Sequence, residues 1–419
     1  MSLARVHVIG AGLAGLAAAV RLAEAGVPVV VHESAQGAGG RCRSYDDATL
    51  HCRIDNGNHL LMQGNSAAMR YLELIGARAT LVGPAEAAYP FLDLETGERW
   101  IVRPSRGRIP WWLLDASARV PGTRAWDYLA ALSLFRADDD ATVDAVLDPR
   151  GLLYRRFWRP LAVAALNTDP REGQAKLLAR VIAESFARGG AAARPLVPRE
   201  GLSETLVEPA LAFLAARSAV VRFTARARAL DCAEDRLAAI EFDDGRMALD
   251  ADEAAVLAVT APVAQRLVPG LMAPQEFRAI VNAHYRIALP ETAPLFIGLV
   301  GGTAEWVFRK RDVLSVTVSA AERLVDEPAE DLAPRLWRDV ARAYELGARE
   351  MPAAQIVKER RATFAATPAE ARRRPPAKTR WHNLALAGDW TATGLPATIE
   401  GAIRSGFAAA ALLLAAHSS

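Results

Sequence analysis

The chain has 419 residues, 52% of them hydrophobic and 23% charged. At ~150 residues per domain this is material for two or three domains with large cores, and it excludes a disordered chain. Fifty basic residues against 48 acidic ones leave a formal charge of +2, which excludes the concentrated positive face that nucleic acid demands.

Residues 5–9 (RVHVI) are a short apolar run closed by glycine, the mark of a buried parallel strand. Six residues rich in glycine follow, then an Ala/Leu helix to Ala25, with Gly26 where a C-terminal cap glycine belongs. Residues 27–31 form a second strand that ends at His32 and Glu33, completing a strand–helix–strand unit. The apolar stretch 13–25 therefore reads as a retained helix and not as a signal peptide. Residues 100–144 mix proline, tryptophan and weak helical patterns. Residues 152–187 look helical, punctuated by Pro160 and Pro170, and 201–217 look helical with Pro209 as a kink. The period then changes to that of strands at 220–230 and 237–242, with a turn at Asp243-Asp244-Gly245 and a buried strand at 254–260. Residues 277–367 are mixed, with strands at 294–300 and 313–318 and a helix at 329–349. A basic, proline-containing loop at 372–376 precedes a last strand at 383–387 and a final helix at 397–416. No run of ~18 apolar residues is found, so no membrane-spanning helix is expected. Three cysteines (Cys42, Cys52 and Cys232) lack CxxC spacing, which argues against a disulfide framework and a structural zinc site and leaves no metal expected.

Three motifs carry chemistry. Gly10-Ala11-Gly12-Leu13-Ala14-Gly15 opens the first helix: Gly10 permits the turn, Gly12 admits a pyrophosphate to the backbone, and Gly15 lets helix and strand pack closely. Glu33, 18 residues after Gly15, can accept hydrogen bonds from an adenosine ribose. Gly39-Gly40-Arg41 then adds a second close backbone approach and a guanidinium fork, which favours FAD over NAD. At the far end, Gly388-Asp389-Trp390 precedes Pro396-Ala397-Thr398-Ile399 and a helix. A carboxylate there can hold ribityl hydroxyls, and the helix N-terminus stabilises a reduced flavin. The expected fold class is α/β with α+β mixing: a Rossmann-like FAD-binding domain (1–105, 190–265 and 380–419) with an interleaved substrate-binding domain (106–189 and 266–379). No second G-x-G-x-x-G is present, so the electron donor is left unidentified: a nicotinamide visiting the flavin, or a separate reductase.

Together the three motifs resemble the flavin amine oxidase and phytoene desaturase superfamily. Asp55-Asn56-Gly57-Asn58-His59, Phe157-Trp158-Arg159-Pro160-Leu161 and Ala164-Ala165-Leu166-Asn167-Thr168 resemble, more closely, the squalene-associated FAD-dependent desaturases, the hydroxysqualene dehydroxylase family. Asn58 stands where that family pattern would have Gln. The resemblance implies hydride transfer from reduced flavin to hydroxysqualene, giving squalene for hopanoid synthesis. It implies an apolar C30 isoprenoid substrate and neighbouring squalene-pathway enzymes. It also places Asn56, Gly57, Asn58 and the backbone of Ala227 at the FAD, beside Gly10, Gly12, Leu13, Ala14, Gly15, Glu33, Gly40, Arg41, Gly388, Asp389, Thr398 and Ile399.

His59, Asn58 and Asn167 are the candidates for holding the departing hydroxyl, although His59 also suits a core position and Asn167 a helix cap. Glu184 reads as a solvated helix residue. The cluster Pro110-Trp111-Trp112-Leu113-Leu114, flanked by Arg106 and Arg108, suits a core or the rim of a lipid entrance. Arg360, Arg361 and Arg372–Arg374 read as solvated faces. The expected location is cytoplasmic, with peripheral contact to the inner face of the cytoplasmic membrane left open. A polyprenoid desaturase or an amine oxidase, with Trp390 as one wall of an aromatic cage, are alternatives on the same fold. A non-catalytic prenyl-binding escort is a remote one.

Overall fold

The computed structural model describes residues 3–416. Five parallel strands form the first sheet, in the order Val220–Arg222, Val29–His32, Arg5–Ile9, Glu253–Leu257 and Leu384–Leu386. Its central strands Arg5–Ile9 and Glu253–Leu257 are buried on both faces because both faces are covered, and their buried residues are apolar apart from His7 and Glu253. The helix Leu13–Glu24 packs on one face and is itself buried nearly all round. Helix Ile399–Ala416 lies against it, so closely that a Cβ on Gly406 would sit 2.2 Å from the Ala14 carbonyl oxygen. That final helix has 18 residues and a mean hydropathy of 1.5, so it meets the length and composition of a membrane span, against expectation. Half of it is buried inside the protein, which makes it the core helix of this domain.

The strand expected at 220–230 is two strands. Val220–Arg222 joins the parallel sheet, Thr224 turns the chain at φ +56°, and Ala227–Cys232 begins a separate antiparallel meander with Leu237–Phe242 and Gly245–Ala248.

The second large sheet has seven strands, in the order Ala354–Phe364, Phe277–Arg286, Val313–Val318, Trp306–Lys310, Phe296–Val300, Tyr89–Asp93 and Arg99–Val102. All pairings are antiparallel except that of Phe296–Val300 with Tyr89–Asp93. A domain boundary at residue 105 does not follow this sheet, since residues 89–102 pair into it. The reason is aromatic packing: Phe91 stacks on Trp100 at 5.5 Å and meets Trp306 edge-on, and Tyr89 meets Phe296. The sheet's alternation divides its residues cleanly. Val281, Ala283, Tyr285, Val307, Leu314 and Val316 pack under helix Ala329–Ala343. Asn282, His284, Trp306, Phe308, Ser315 and Thr317 point the other way: Trp306, Phe308 and Thr317 toward a cavity shared with helices Arg159–Leu166 and Ala175–Glu184, and Asn282 and Ser315 toward Asn56 and Asn58.

Candidate active site

The glycine loop is shaped by its own backbone. Gly10 has φ +106°, and a Cβ there would meet the Ala258 carbonyl oxygen at 2.6 Å. A Cβ on Gly15 would come within 1.9 Å of the Gly10 carbonyl oxygen. Gly12 is different: among the described residues nothing lies within 4 Å of the Cβ it lacks. Gly12 also caps helix Leu13–Glu24 without a side chain, so the first-turn amides, Leu13 and Ala14 among them, face that open side. A loop with these properties fits a pyrophosphate at the positive helix end.

Glu33 holds the loop from behind. One carboxylate oxygen accepts the Ala11 amide at 2.7 Å and the other accepts that of Ala35 at 2.8 Å. Residue 227 opens its strand two positions after Ala225, whose amide donates to the Glu33 carbonyl at 2.8 Å. Gly39 bridges to Gly12, and Gly40, at φ +57°, sits 3.4 Å from the Gly12 Cα by its missing Cβ. Arg41 follows and pairs with Asp389 at 2.8 Å, joining positions 348 apart in the chain. Asn56 leans on the Arg41 carbonyl, and a Cβ on Gly57 would touch the Asn282 amide. Gly388 has φ +154°, and its missing Cβ leaves room for the Trp390 ring.

Trp390 is buried, and its indole N–H donates to the Val259 carbonyl at 2.9 Å. It is therefore core and offers no wall to an amine cage. Arg374 was expected on a solvated face and is instead buried. It donates to the carbonyls of Asp389 and Thr391 and to Thr393 Oγ1, and lies over the Phe364 ring, so it brackets the loop that carries Asp389. Burial lowers its pKa to about 10. Arg360 and Arg361 are exposed, as expected.

Between the two domains lies a cavity of about 250 Å³. It is lined mainly by apolar and aromatic groups, Phe91, Phe157, Leu161, Phe186, Trp306 and Phe308 among them. Thr398 and Ile399 reach it from the start of the last helix, and Asn58 and His59 from the segment after Gly57, so candidate residues from these two parts of the chain meet here, whereas the glycine loop, Glu33 and Arg41 do not line it. Asn58 donates to Ser315 Oγ at 2.8 Å and to Thr317 Oγ1 at 3.0 Å, while its own carbonyl oxygen is buried without a partner. Behind it Ser315 bonds His284 at 2.7 Å and Thr317 donates to Asn282 at 2.8 Å. Burial lowers the pKa of His59 to about 4, so the ring is neutral at neutral pH.

Asn167 also lines the cavity, but its amide is committed elsewhere. It closes helix Arg159–Leu166 in the left-handed region at φ +48°, donates to Thr363 Oγ1 at 2.9 Å and accepts the Ala320 amide at 2.7 Å. Glu184 is a cavity residue and not a solvated one: Arg404 binds both its oxygens, at 2.9 and 2.6 Å. Arg404 also binds Glu400, which accepts the Ala67 and Ala68 amides and so caps helix Ser66–Leu74 from a distant part of the chain. Only the Glu400–Arg404 spacing in this cluster is visible in the sequence.

The flavin-containing amine oxidoreductase family matches this chain over residues 13–289 and 298–414. The hydroxysqualene dehydroxylase of Rhodopseudomonas palustris is 52% identical, and that of Sinorhizobium fredii 48%, each alignment covering 98% of both chains. Among solved structures, the cyclohexylamine oxidase of Brevibacterium oxydans superposes with a TM-score of 0.68 at 17% identity over 98% of both chains. The chain is an FAD-dependent oxidoreductase by this kinship, and the glycine loop, the Arg41–Asp389 pair and the open side of Gly12 fit the cofactor. The chain belongs to the flavin-containing amine oxidoreductase family, within the group that its hydroxysqualene dehydroxylase relatives form.

Proposed function

We propose that the protein reduces hydroxysqualene to squalene. The observation that carries this reading is a mainly apolar cavity, with Asn58, Thr317 and Ser319 in its wall, where the start of the last helix meets the segment after Gly57. Bound FAD, once reduced, supplies hydride. The protein's own residues do the remaining work. The aromatic wall excludes water and holds an isoprenoid chain by apolar burial. Asn58, Thr317 and Ser319 give a hydroxyl-binding stripe in that wall, and the unpartnered Asn58 carbonyl oxygen suits a hydroxyl donor. His59 stays neutral and can take part in hydrogen bonds without acting as a cationic acid. We assign glycine-loop residues 10–15, Glu33, Gly40, Arg41, Asn56, Gly57 and Asp389 to the cofactor, a reading that the shape of the glycine loop and the Arg41–Asp389 pair support.

The test is anaerobic. The flavin is reduced, hydroxysqualene is added, and the oxidised flavin band and the lipid product are followed together. Stoichiometric reoxidation with squalene is the expected result. Flavin that stays reduced, in a protein whose oxidised form takes electrons from a polyprene or an amine, would overturn the reading.

A substrate of this kind dissolves in lipid, and the surface offers a matching face for an anionic bilayer. Ile109, Trp111, Leu114, Trp126, Leu129, Leu132 and Phe135 are all exposed within one stretch of 27 residues, with Arg106, Arg108, Arg124 and Arg136 interspersed or adjoining. Trp111 and Trp112 divide the two roles read for them. Trp111 projects outward, whereas Trp112 packs on Tyr128 at 5.2 Å, and Tyr128 meets the cavity residue Phe157. This face therefore backs directly onto the cavity wall, as a route for substrate from a membrane would.

A further inference from the structure

Hydroxide is a poor leaving group, so loss of the hydroxyl needs a proton. Asn58, the neutral His59 and the committed amide of Asn167 do not supply one. A carboxyl group is nevertheless present just behind the polar row. Glu305 immediately precedes strand Trp306–Lys310, and its Oε2 accepts the Ser319 amide at 2.8 Å. The Ser319 side chain also interacts with this carboxyl group, on the residue whose amide binds it. Ser319 continues the alternation of Ser315 and Thr317 and lines the cavity. Its backbone is pinned: the next residue, Ala320, has φ +44° and donates its amide to Asn167. Burial raises the Glu305 pKa to about 7. The charges that face it are Arg159, on the helix across the cavity, and Arg323, on the loop after Ser319. On the sheet's other side Asp339 accepts the amides of Thr303 and Ala304.

We propose that Glu305 supplies the proton for hydroxyl loss, delivered through the Ser319 hydroxyl; this rests on the dehydroxylase reading above. In the protonated state the Glu305 hydroxyl donates to Ser319 Oγ, which frees the Ser319 proton to point into the cavity. As the carbon–oxygen bond breaks, the oxygen keeps the bonding pair, takes the Ser319 proton and leaves as water. The Glu305 proton passes to Ser319 Oγ, leaving a carboxylate that recovers its proton from solvent. The allylic carbon is left one electron pair short, and the hydride already assigned to the reduced cofactor fills it, so no further reductant is required. Ser319 is the group that touches substrate, and Glu305 is a positioning residue that acts through it.

The test compares wild type, Glu305→Gln and Ser319→Ala in anaerobic mixing of reduced enzyme with hydroxysqualene across pH. The wild-type rate is expected to fall as pH rises above about 7. Both variants are expected to be about 10²–10⁴-fold slower, and Glu305→Gln to have a flat pH profile. Ser319→Ala retains the backbone amide that binds Glu305, so it reports on the relay even if Glu305→Gln folds poorly. A second readout needs no turnover: infrared difference titration of the oxidised, substrate-free protein should show a carboxylic-acid carbonyl band that titrates near pH 7 and is missing in Glu305→Gln. Wild-type rates in Ser319→Ala, or a wild-type pH profile in Glu305→Gln, would overturn the proposal, as would the absence of that band. If hydroxysqualene fails to reoxidise the wild-type flavin at every pH while the band titrates as expected, the dehydroxylase reading has failed, and the relay assigned to that reaction fails with it.

Discussion

Replacing Asn167 separates a structural bracket from a group reserved for substrate. Its amide makes two short hydrogen bonds, donating to Thr363 Oγ1 at 2.9 Å and accepting from the Ala320 amide at 2.7 Å, and a longer one to the Arg278 carbonyl. Each ordinary bond contributes ~1 kcal/mol, and leaving a buried donor without an acceptor costs ~1–3 kcal/mol. Asn167→Gly loses these contacts but tolerates φ +48°, so a loss of about 2–3 kcal/mol is expected. Asn167→Ala loses the same contacts and adds ~1 kcal/mol of left-handed strain. Glycine should therefore be the better substitute, although it is ordinarily the worse one within a helix. Urea unfolding of the flavin-saturated proteins, followed by tryptophan fluorescence, measures both differences. Two variants within ~0.5 kcal/mol of wild type, or alanine as stable as glycine, would refute the bracket.

The glycine loop gives a paired prediction. Gly15→Ala drives a methyl against the Gly10 carbonyl and should lower both stability and flavin content. Gly12→Ala meets no protein atom, so the apoprotein should unfold as wild type does while its flavin affinity falls at least about tenfold by titration. An unchanged affinity in Gly12→Ala would place the pyrophosphate elsewhere. Asp389→Ala removes the partner of Arg41 and should lower flavin retention through gel filtration; a fully flavinated variant would contradict the assignment. Stability should fall in acid. Burial lowers the folded pKa of His32 to about 3 and of His59 and His284 to about 4, and His7 shifts the same way. Their contribution is complete above 6.5 and is lost as pH falls toward 4, at ~1.4 kcal/mol per pH unit for each proton. Glu305 runs in the opposite sense: its contribution is complete below 4.5, is lost as pH rises through about 7, and offsets one histidine in the shared window. Urea midpoints between pH 7 and 4.5 would show the decline, and a flat profile would contradict it. Trp111→Ser with Trp126→Ser should reduce sedimentation with anionic vesicles about tenfold or more, without changing the fold; unaltered binding would remove this face from the membrane.

The parts of the site legible in the sequence are those where backbone geometry constrains nearby residues. Gly10, Gly12 and Gly15 are readable because each answers a local steric demand, and Glu33 because a strand–helix–strand unit carries it back beside the loop. The final strand and helix were legible for the same reason. The two longest strands of the second sheet, Phe277–Arg286 and Ala354–Phe364, were not. Their cavity-facing or solvent-facing positions hold Asn282, His284, Lys358, Arg360 and Arg361, which break the apolar run that a buried strand would show. The break is itself informative once the sheet is known, because it marks the face that was kept polar.

The remaining residues acquire their roles only through distant partners. Arg374 looks like part of a basic surface run until the chain places it beneath Asp389, Thr391 and Thr393. Glu400 caps a helix more than 300 positions away, and Asn58 finds Ser315 and Thr317 at separations above 250. Glu305 has no motif at all, and its burial and its serine partner come from the register of the sheet. A cofactor imposes a repeated shape on the backbone that holds it, and glycine spacing records that shape. A proton source needs only burial and one hydrogen-bonded neighbour, conditions that many sequences meet and that tertiary structure alone makes visible. For that reason redox chemistry in this fold is readable from motifs, while the group that decides between removing a hydroxyl and removing hydrogens must be sought on the cavity wall.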